Sequence, residues 1–281
     1  MPFAELTDAR LYYELNGEGD PLILVPGLGA DCRFWDTIAD DLLKHFSLIR
    51  VDNRGLGQSV PKRRPTTLRD YSADLVELLD YLQIERAHML GLSLGGTIAQ
   101  RFAIDHPSRV SRLVLVSCAD RFGPYLCEVA SLVGQSLRWF PKKMFAQMME
   151  ILGGGPMYFD ADPQRLERRL EEIGQANVRR SAVVRQLRCL TASDPDPQEY
   201  HISAPTLVIA GEYDTLIPHC YVRRMAEAIP DSRFMLIPDA GHNPFLECPQ
   251  KVLPSIIEFL CHNNVSCGKH NGQSSKERDA A

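Results

Sequence analysis

The chain has 281 residues, 44% of them hydrophobic and 24% charged, with a net charge of −5. That composition excludes a collagen, a coiled coil or a largely disordered chain, and the length suits one large α/β domain with an insertion. No long block of like charge occurs, so neither nucleic acid nor an anionic membrane is an expected partner, which leaves a small molecule.

In chain order, Arg10 to Glu14 reads as a first strand, and Leu22 to Val25 as a buried strand entering the glycine loop Pro26-Gly27-Leu28-Gly29. Helical spacing runs from Phe34 to Phe46, and Leu48 to Asp52 is a further strand followed by the loop Asn53 to Ser59. Leu68, Tyr71, Leu75, Leu78, Leu79 and Leu82 recur three or four apart and predict an amphipathic helix. The apolar run Ala87 to Leu90 predicts a buried strand, Leu94 to Asp105 a helix ending before His106-Pro107, and Val110 to Ser117 the next strand. The alternation then stops. Between Ala119 and Ala204 helix-like pieces occur at Leu126 to Phe140, Lys142 to Leu152, Pro163 to Gly174 and Asn177 to Leu190, separated by Pro141, Gly153-Gly154-Gly155-Pro156 and Asp194-Pro195-Asp196-Pro197. It resumes with strand Thr206 to Ala210, helix His219 to Ile229, strand Arg233 to Ile237 and helix Pro249 to Leu260.

The expected architecture is a doubly wound, mostly parallel sheet with helices on both faces. Its core is built from residues 1–118 and 205–262, with a helical lid inserted at 119–204 and a polar, disordered tail at 263–281. Function in such sheets gathers at the carboxyl ends of the strands.

Three residues meet that condition. Ser93 stands in Gly91-Leu92-Ser93-Leu94-Gly95-Gly96, between a strand and a helix, where a sharp turn would present its hydroxyl to the helix's positive end. A serine hydroxyl is a weak nucleophile and needs a base held in one tautomer by an acid. Asp214, beyond the strand ending at Ala210, and His242, beyond the strand ending at Ile237, offer that pair, with Asp120 as the reserve acid. Taken singly, Ser93 could be a helix cap, Asp214 a turn former and His242 a loop residue; together, in the order Ser, Asp, His, they read as a catalytic triad.

On these motifs the chain resembles the α/β-hydrolase superfamily, in its serine-nucleophile branch, over 9–262. The loop Asp52-Asn53-Arg54-Gly55-Leu56-Gly57-Gln58-Ser59 and the place of the lid-like insertion are similar too. The resemblance implies an oxyanion hole made by the backbone N–H groups of Leu28 and Leu94. Many relatives carry His-Gly before the first of these, where this chain has Pro26-Gly27. That change and the Gly-Leu-Ser-Leu-Gly-Gly elbow are similar to the esterase and enol-lactonase-like branch. Relatives that open epoxides or remove halides have aspartate at the place of Ser93, and dienelactone-type relatives cysteine. The resemblance therefore implies acyl chemistry on an ester or lactone through an acyl-enzyme, with no cofactor and no metal. Two alternatives share the same residues: a carbon–carbon bond hydrolase or perhydrolase, and a hydrolase-fold binding or signalling protein with little turnover.

In the insertion, Trp139, Phe140, Met144, Phe145, Met148, Met149 and Tyr158 have helical spacing. Packing between lid and sheet is the plainer expectation, and a substrate pocket formed by Trp139, Phe140, Met144 and Met148 the sharper one. Arg165, Arg168, Arg169, Arg179, Arg180, Arg185 and Arg188, interleaved with glutamates, read as a solvated face. Gly153-Gly154-Gly155 suggests a lid hinge. A dinucleotide fingerprint is imitated by Gly27-Leu28-Gly29 with the distant Asp52, but fails at the third glycine, where Cys32 stands. Eight cysteines without C-x-x-C or zinc spacing, no secretory leader and no run of 18 apolar residues predict a reduced, cytoplasmic protein without a membrane span. Nothing in the sequence specifies an oligomeric state.

Overall fold

Alternate residues of the central strands feed two separate cores, which fixes the layering of the molecule. In the computed structural model, which describes residues 2–175, 179–192 and 201–262, the strands are β1 (Phe3–Glu5), β2 (Ala9–Asn16), β3 (Asp20–Val25), β4 (Phe46–Val51), β5 (Val60–Pro61), β6 (Ala87–Leu92), β7 (Val110–Val116), β8 (Thr206–Gly211) and β9 (Ser232–Ile237). Their order is β1-β2-β4-β3-β6-β7-β8-β9, with β5 beside β2. Every pairing from β4 to β9 is parallel, and β1, β2 and β5 pair antiparallel. Ile23, Val25 and Met89 point into one apolar cluster, while Leu22, Leu24 and Leu90 point into the other. The first cluster is closed by α2 (Leu68–Tyr81), α3 (Leu94–Asp105) and α9 (His219–Ala228); the second by α1 (Asp36–Leu42) and α11 (Pro249–Cys261). Each large aliphatic side chain fully buried there contributes about 1.5–3 kcal/mol.

The insertion comprises α4 (Pro124–Trp139), α5 (Lys142–Gly153), α6 (Pro156–Asp160), α7 (Arg165–Gln175) and α8 (Arg180–Thr191), all between the adjacent strands β7 and β8. The doubly wound expectation holds, with differences at the margins. The expected helix from Phe34 divides into a 3-10 turn over Cys32–Trp35 and α1, and Phe46 belongs to β4. β1, β5, α6 and α10 (Pro244–Glu247) are additions. The tail 263–281 and the breaker Asp194 to Pro197 lie outside the described residues. Cys32, Cys118, Cys127, Cys189, Cys220 and Cys248 are free thiols. Among the described residues no helix is long and apolar enough to cross a membrane.

Candidate active site

Ser93 joins β6 to α3 with φ +54° and ψ −120°, a conformation that costs a non-glycine residue of order 1–3 kcal/mol. Its surroundings enforce that geometry. The Ser93 N–H donates to the Val116 carbonyl at 2.8 Å, and the Ser93 carbonyl accepts the Thr97 N–H at 3.0 Å. A β-carbon on Gly91 would collide with the Gly95 carbonyl, and one on Gly95 with the Val25 carbonyl, so the turn closes only because both are glycine. Ser93 itself is half-buried, directly before the first turn of α3, whose backbone N–H groups carry the helix's positive end.

Asp214 and His242 come together. His242 Nδ1 lies 2.8 Å from Asp214 Oδ2, and both residues are buried. Asp214 Oδ1 accepts the backbone N–H groups of Leu216 and Ile217 at 3.0 and 2.9 Å, so the carboxylate is fixed by its own turn before it meets the ring. An Nδ1–H donated to Asp214 leaves Nε2 as the basic nitrogen. The two loops are also tied through their backbones, Tyr213 N–H to the Ala240 carbonyl at 2.8 Å and Glu212 N–H to the Ile237 carbonyl at 3.1 Å. Asp120 is occupied elsewhere, accepting from Arg224 Nη2 at 2.7 Å.

The loop after β3 passes close to the serine: a β-carbon on Gly27 would sit 3.5 Å from that of Ser93. Three side chains hold this loop, and sequence reasoning assigned a role to none of them. Asn53 Nδ2 donates to the Pro26 carbonyl at 3.2 Å, Asp52 Oδ1 accepts the Cys32 N–H at 2.8 Å, and Gln186 Oε1 accepts the Gly29 N–H at 2.9 Å. Burial pushes the Asp52 carboxyl up, against the Gln58 and Cys32 N–H groups that hold it down. The motif running from Asp52 thus supports the loop where a histidine is absent. Its spacing after β4 was the available signal; for Gln186, 157 residues away from Gly29, there was none.

The insertion meets the histidine loop at a second place. The His242 N–H donates to the Gly153 carbonyl at 2.5 Å, and Thr215 Oγ1 to the Leu152 carbonyl at 2.6 Å. Glu247 Oε2 accepts the N–H groups of Gly155 at 2.8 Å and Gly241 at 2.7 Å, and Oε1 that of Asn243 at 3.2 Å. Burial raises the Glu247 carboxyl, opposed by these N–H groups and by the neighbouring His242. The glycine run expected to be a hinge is therefore pinned at both ends.

The aromatic and methionine side chains of the insertion divide. Phe145 and Met149 pack against the core. Trp139 and Met144 are 72% and 50% exposed, so the packing expectation fails for both: Trp139 ends α4 off the face that buries Val133 and Leu137, and α5 buries only Ala146 and Gly153 fully. Phe140 and Met148 are half-buried. A cleft of about 850 Å³ runs between α4 and α8, lined by Leu137, Val184 and Leu187 among others and by no residue of the elbow or the histidine loop. Of the arginines, Arg165, Arg168, Arg169 and Arg180 bind the Tyr158 carbonyl, Asp162, Glu150 and the Leu137 and Phe140 carbonyls. Arg179 and Arg185 instead line a cleft of about 180 Å³ with Arg54 and Arg64, which departs from a simple solvated face.

Comparison with known proteins agrees with this architecture. The family model described as alpha/beta hydrolase fold matches residues 20–249. The protein named "Putative carbamate hydrolase RutD" of Caulobacter sp. (strain K31) is 30% identical over 259 residues, covering 89% of this chain and 95% of that protein. The enol-lactonase from Burkholderia xenovorans LB400 superposes with a TM-score of 0.81 at 27% identity, over 92% of this chain and 99% of that one. A thermophilic esterase from Thermogutta terrifontis, solved with malate bound, gives 0.79 at 29% identity, over 92% and 98%. With its parallel sheet, its strained serine turn and a matching family model across most of its length, the chain belongs to the α/β-hydrolase fold family.

Proposed function

We propose that the protein is a serine hydrolase that cleaves a carboxylic ester or lactone of a small, largely apolar substrate through an acyl-enzyme. The observation that carries this reading is the strained Ser93, at the head of α3, on the same strand-end edge as the paired His242 and Asp214. Ser93 attacks the carbonyl as His242 Nε2 takes its proton; Asp214 stabilises the imidazolium. The Leu28 and Leu94 N–H groups receive the developing oxyanion, collapse transfers the proton from His242 to the leaving oxygen, and water repeats the cycle on the acyl-enzyme. Phe140 and Met148 from the insertion serve as candidates for the apolar side of the pocket. The named relatives above, an enol-lactonase and an esterase, favour the same substrate class. A carbamate is the second substrate class to examine, because the relative from Caulobacter carries that name.

The test is a panel of short and medium acyl p-nitrophenyl esters, lactones and carbamates, run with wild type and Ser93→Ala. Loss of kcat by about 10⁴-fold or more in the variant is expected. Undiminished turnover in Ser93→Ala would overturn the reading.

A further inference from the structure

The oxyanion loop is held by two residues of the core and one of the insertion, and the third is the odd one. Asn53 and Asp52, which fix the Pro26 carbonyl and the Cys32 N–H, lie in the loop directly after the neighbouring strand β4. Gln186 reaches in from α8, is 0% exposed, and closes its contact with Gly29 across 157 residues of sequence. Consider what the two bonds flanking Leu28 do. The Pro26 carbonyl belongs to the peptide plane joining residues 26 and 27, and the Gly29 N–H to the plane joining 28 and 29. Both planes are rigid. Between them lies the plane that carries the Leu28 N–H, so its direction is bracketed from both sides. Gly29, at φ +72°, adds no side chain that could hold the loop in place of Gln186.

Gln186 has a second peculiarity. With Oε1 committed to Gly29, its amide orientation is set, and Nε2 is a buried donor without a hydrogen-bond partner.

We propose that Gln186 is a positioning residue of the oxyanion hole: from the insertion it sets the direction of the Leu28 peptide N–H. This rests on the acyl-transfer reading above. Formation of the oxyanion hole then depends on α8 being docked against the core, so the insertion takes part in catalysis rather than only covering it. The interaction matters most when charge gathers on the carbonyl oxygen, and its loss should appear in kcat and in transition-state analogues more than in KM.

The test compares wild type with Gln186→Met, which keeps the volume and removes both acceptor and donor. An alkyl fluorophosphonate reports Ser93 labelling, a boronic acid reports binding of a tetrahedral oxyanion mimic, and an ester series gives kcat and KM. The expected result is a 10- to 100-fold fall in kcat and in labelling rate, boronate affinity falling in parallel, KM within about threefold, and stability lowered by no more than the loss of one neutral hydrogen bond. A merely structural role would leave the kcat-to-KM pattern without this bias. Should Gln186→Met not fold, Gln186→Glu takes its place: a buried carboxyl without a cation stays protonated and presents a carbonyl oxygen to Gly29, so labelling within about threefold of wild type is expected. Labelling unaffected in Gln186→Met, or a hundredfold loss in Gln186→Glu, overturns the proposal. Wild type inert to the phosphonate removes the acyl-transfer reading and this proposal with it; wild type that reacts beside an unaffected Gln186→Met removes this proposal alone.

Discussion

The insertion touches the proposed catalytic edge of the sheet at two places, and the two are built differently. Beside His242 the contact is made by backbone groups and a buried carboxylate: the Gly153 carbonyl takes the His242 N–H, and Glu247 gathers three N–H groups from the insertion and the histidine loop. Beside Leu28 the contact is one neutral side-chain bond from Gln186. Hydrogen bonds to a charged acceptor are worth about 1.5–3 kcal/mol each, against about 1 kcal/mol for a neutral pair. The proposed base side is thus held by charge-assisted bonds, whereas the insertion's share in holding the Leu28 loop is one neutral bond from α8, a helix that is itself seated in the core by Val183, Leu187, Cys189 and Leu190.

The strongest way to break this comparison is Glu247→Ala, which strips the acceptor from three N–H groups at once. A loss of about 4 kcal/mol in denaturant unfolding and a fall in kcat of about 100-fold are expected; a variant as stable and active as wild type would mean the histidine side is not clamped. Next comes the sheet itself, as a reference region outside both anchors. His88 in β6 is buried, with Nδ1 unsatisfied, and burial lowers its pKa to about 4. Between pH 6.5 and 4 the unfolded chain takes up a proton that the folded chain refuses, so stability falls as pH falls, by as much as ~3 kcal/mol. His88→Phe should flatten that slope in unfolding curves taken at pH 7 and pH 4.5, and an unchanged slope would place the acid sensitivity elsewhere. A double-mutant cycle of Glu247→Gln with Gln186→Met sharpens the comparison further: stability effects adding within ~0.5 kcal/mol are expected for independent anchors, and coupling above 1 kcal/mol would make them one unit. Smallest is Trp139→Ser on the outer face of α4, expected to change stability by less than ~0.5 kcal/mol because the ring is 72% exposed.

What could be read from the sequence follows the range of the interactions involved. The elbow was legible because glycines at 91 and 95 answer a local steric demand, α2 because three- and four-residue spacing is enforced by one buried face, and α3 because it follows the elbow and stops before His106-Pro107. The pairing of His242 with Asp214 could be inferred from topology alone, since both follow strands β8 and β9 that lie side by side. β1 has only three residues and β5 only two, and both exist by pairing with β2, so no periodicity announces them. Trp139 was misjudged because spacing says which residues share a face but not whether anything covers it. Gln186 and Glu247 were invisible: a glutamine among arginines and a glutamate before a cysteine look like surface residues until distant backbone N–H groups are brought to them.

The insertion's place in the chain has a practical consequence. A cut in the turn between α6 and α7 leaves Ser93, Leu28 and Leu94 on one fragment and Asp214, His242 and Gln186 on the other. Neither piece alone holds both the proposed nucleophile and its proposed base, yet β7 and β8 present matching parallel edges, Leu113 against Thr206 through Val116 against Ile209, along which the halves can rejoin. Fused to two other proteins, the fragments would convert their meeting into whatever turnover the proposed triad performs.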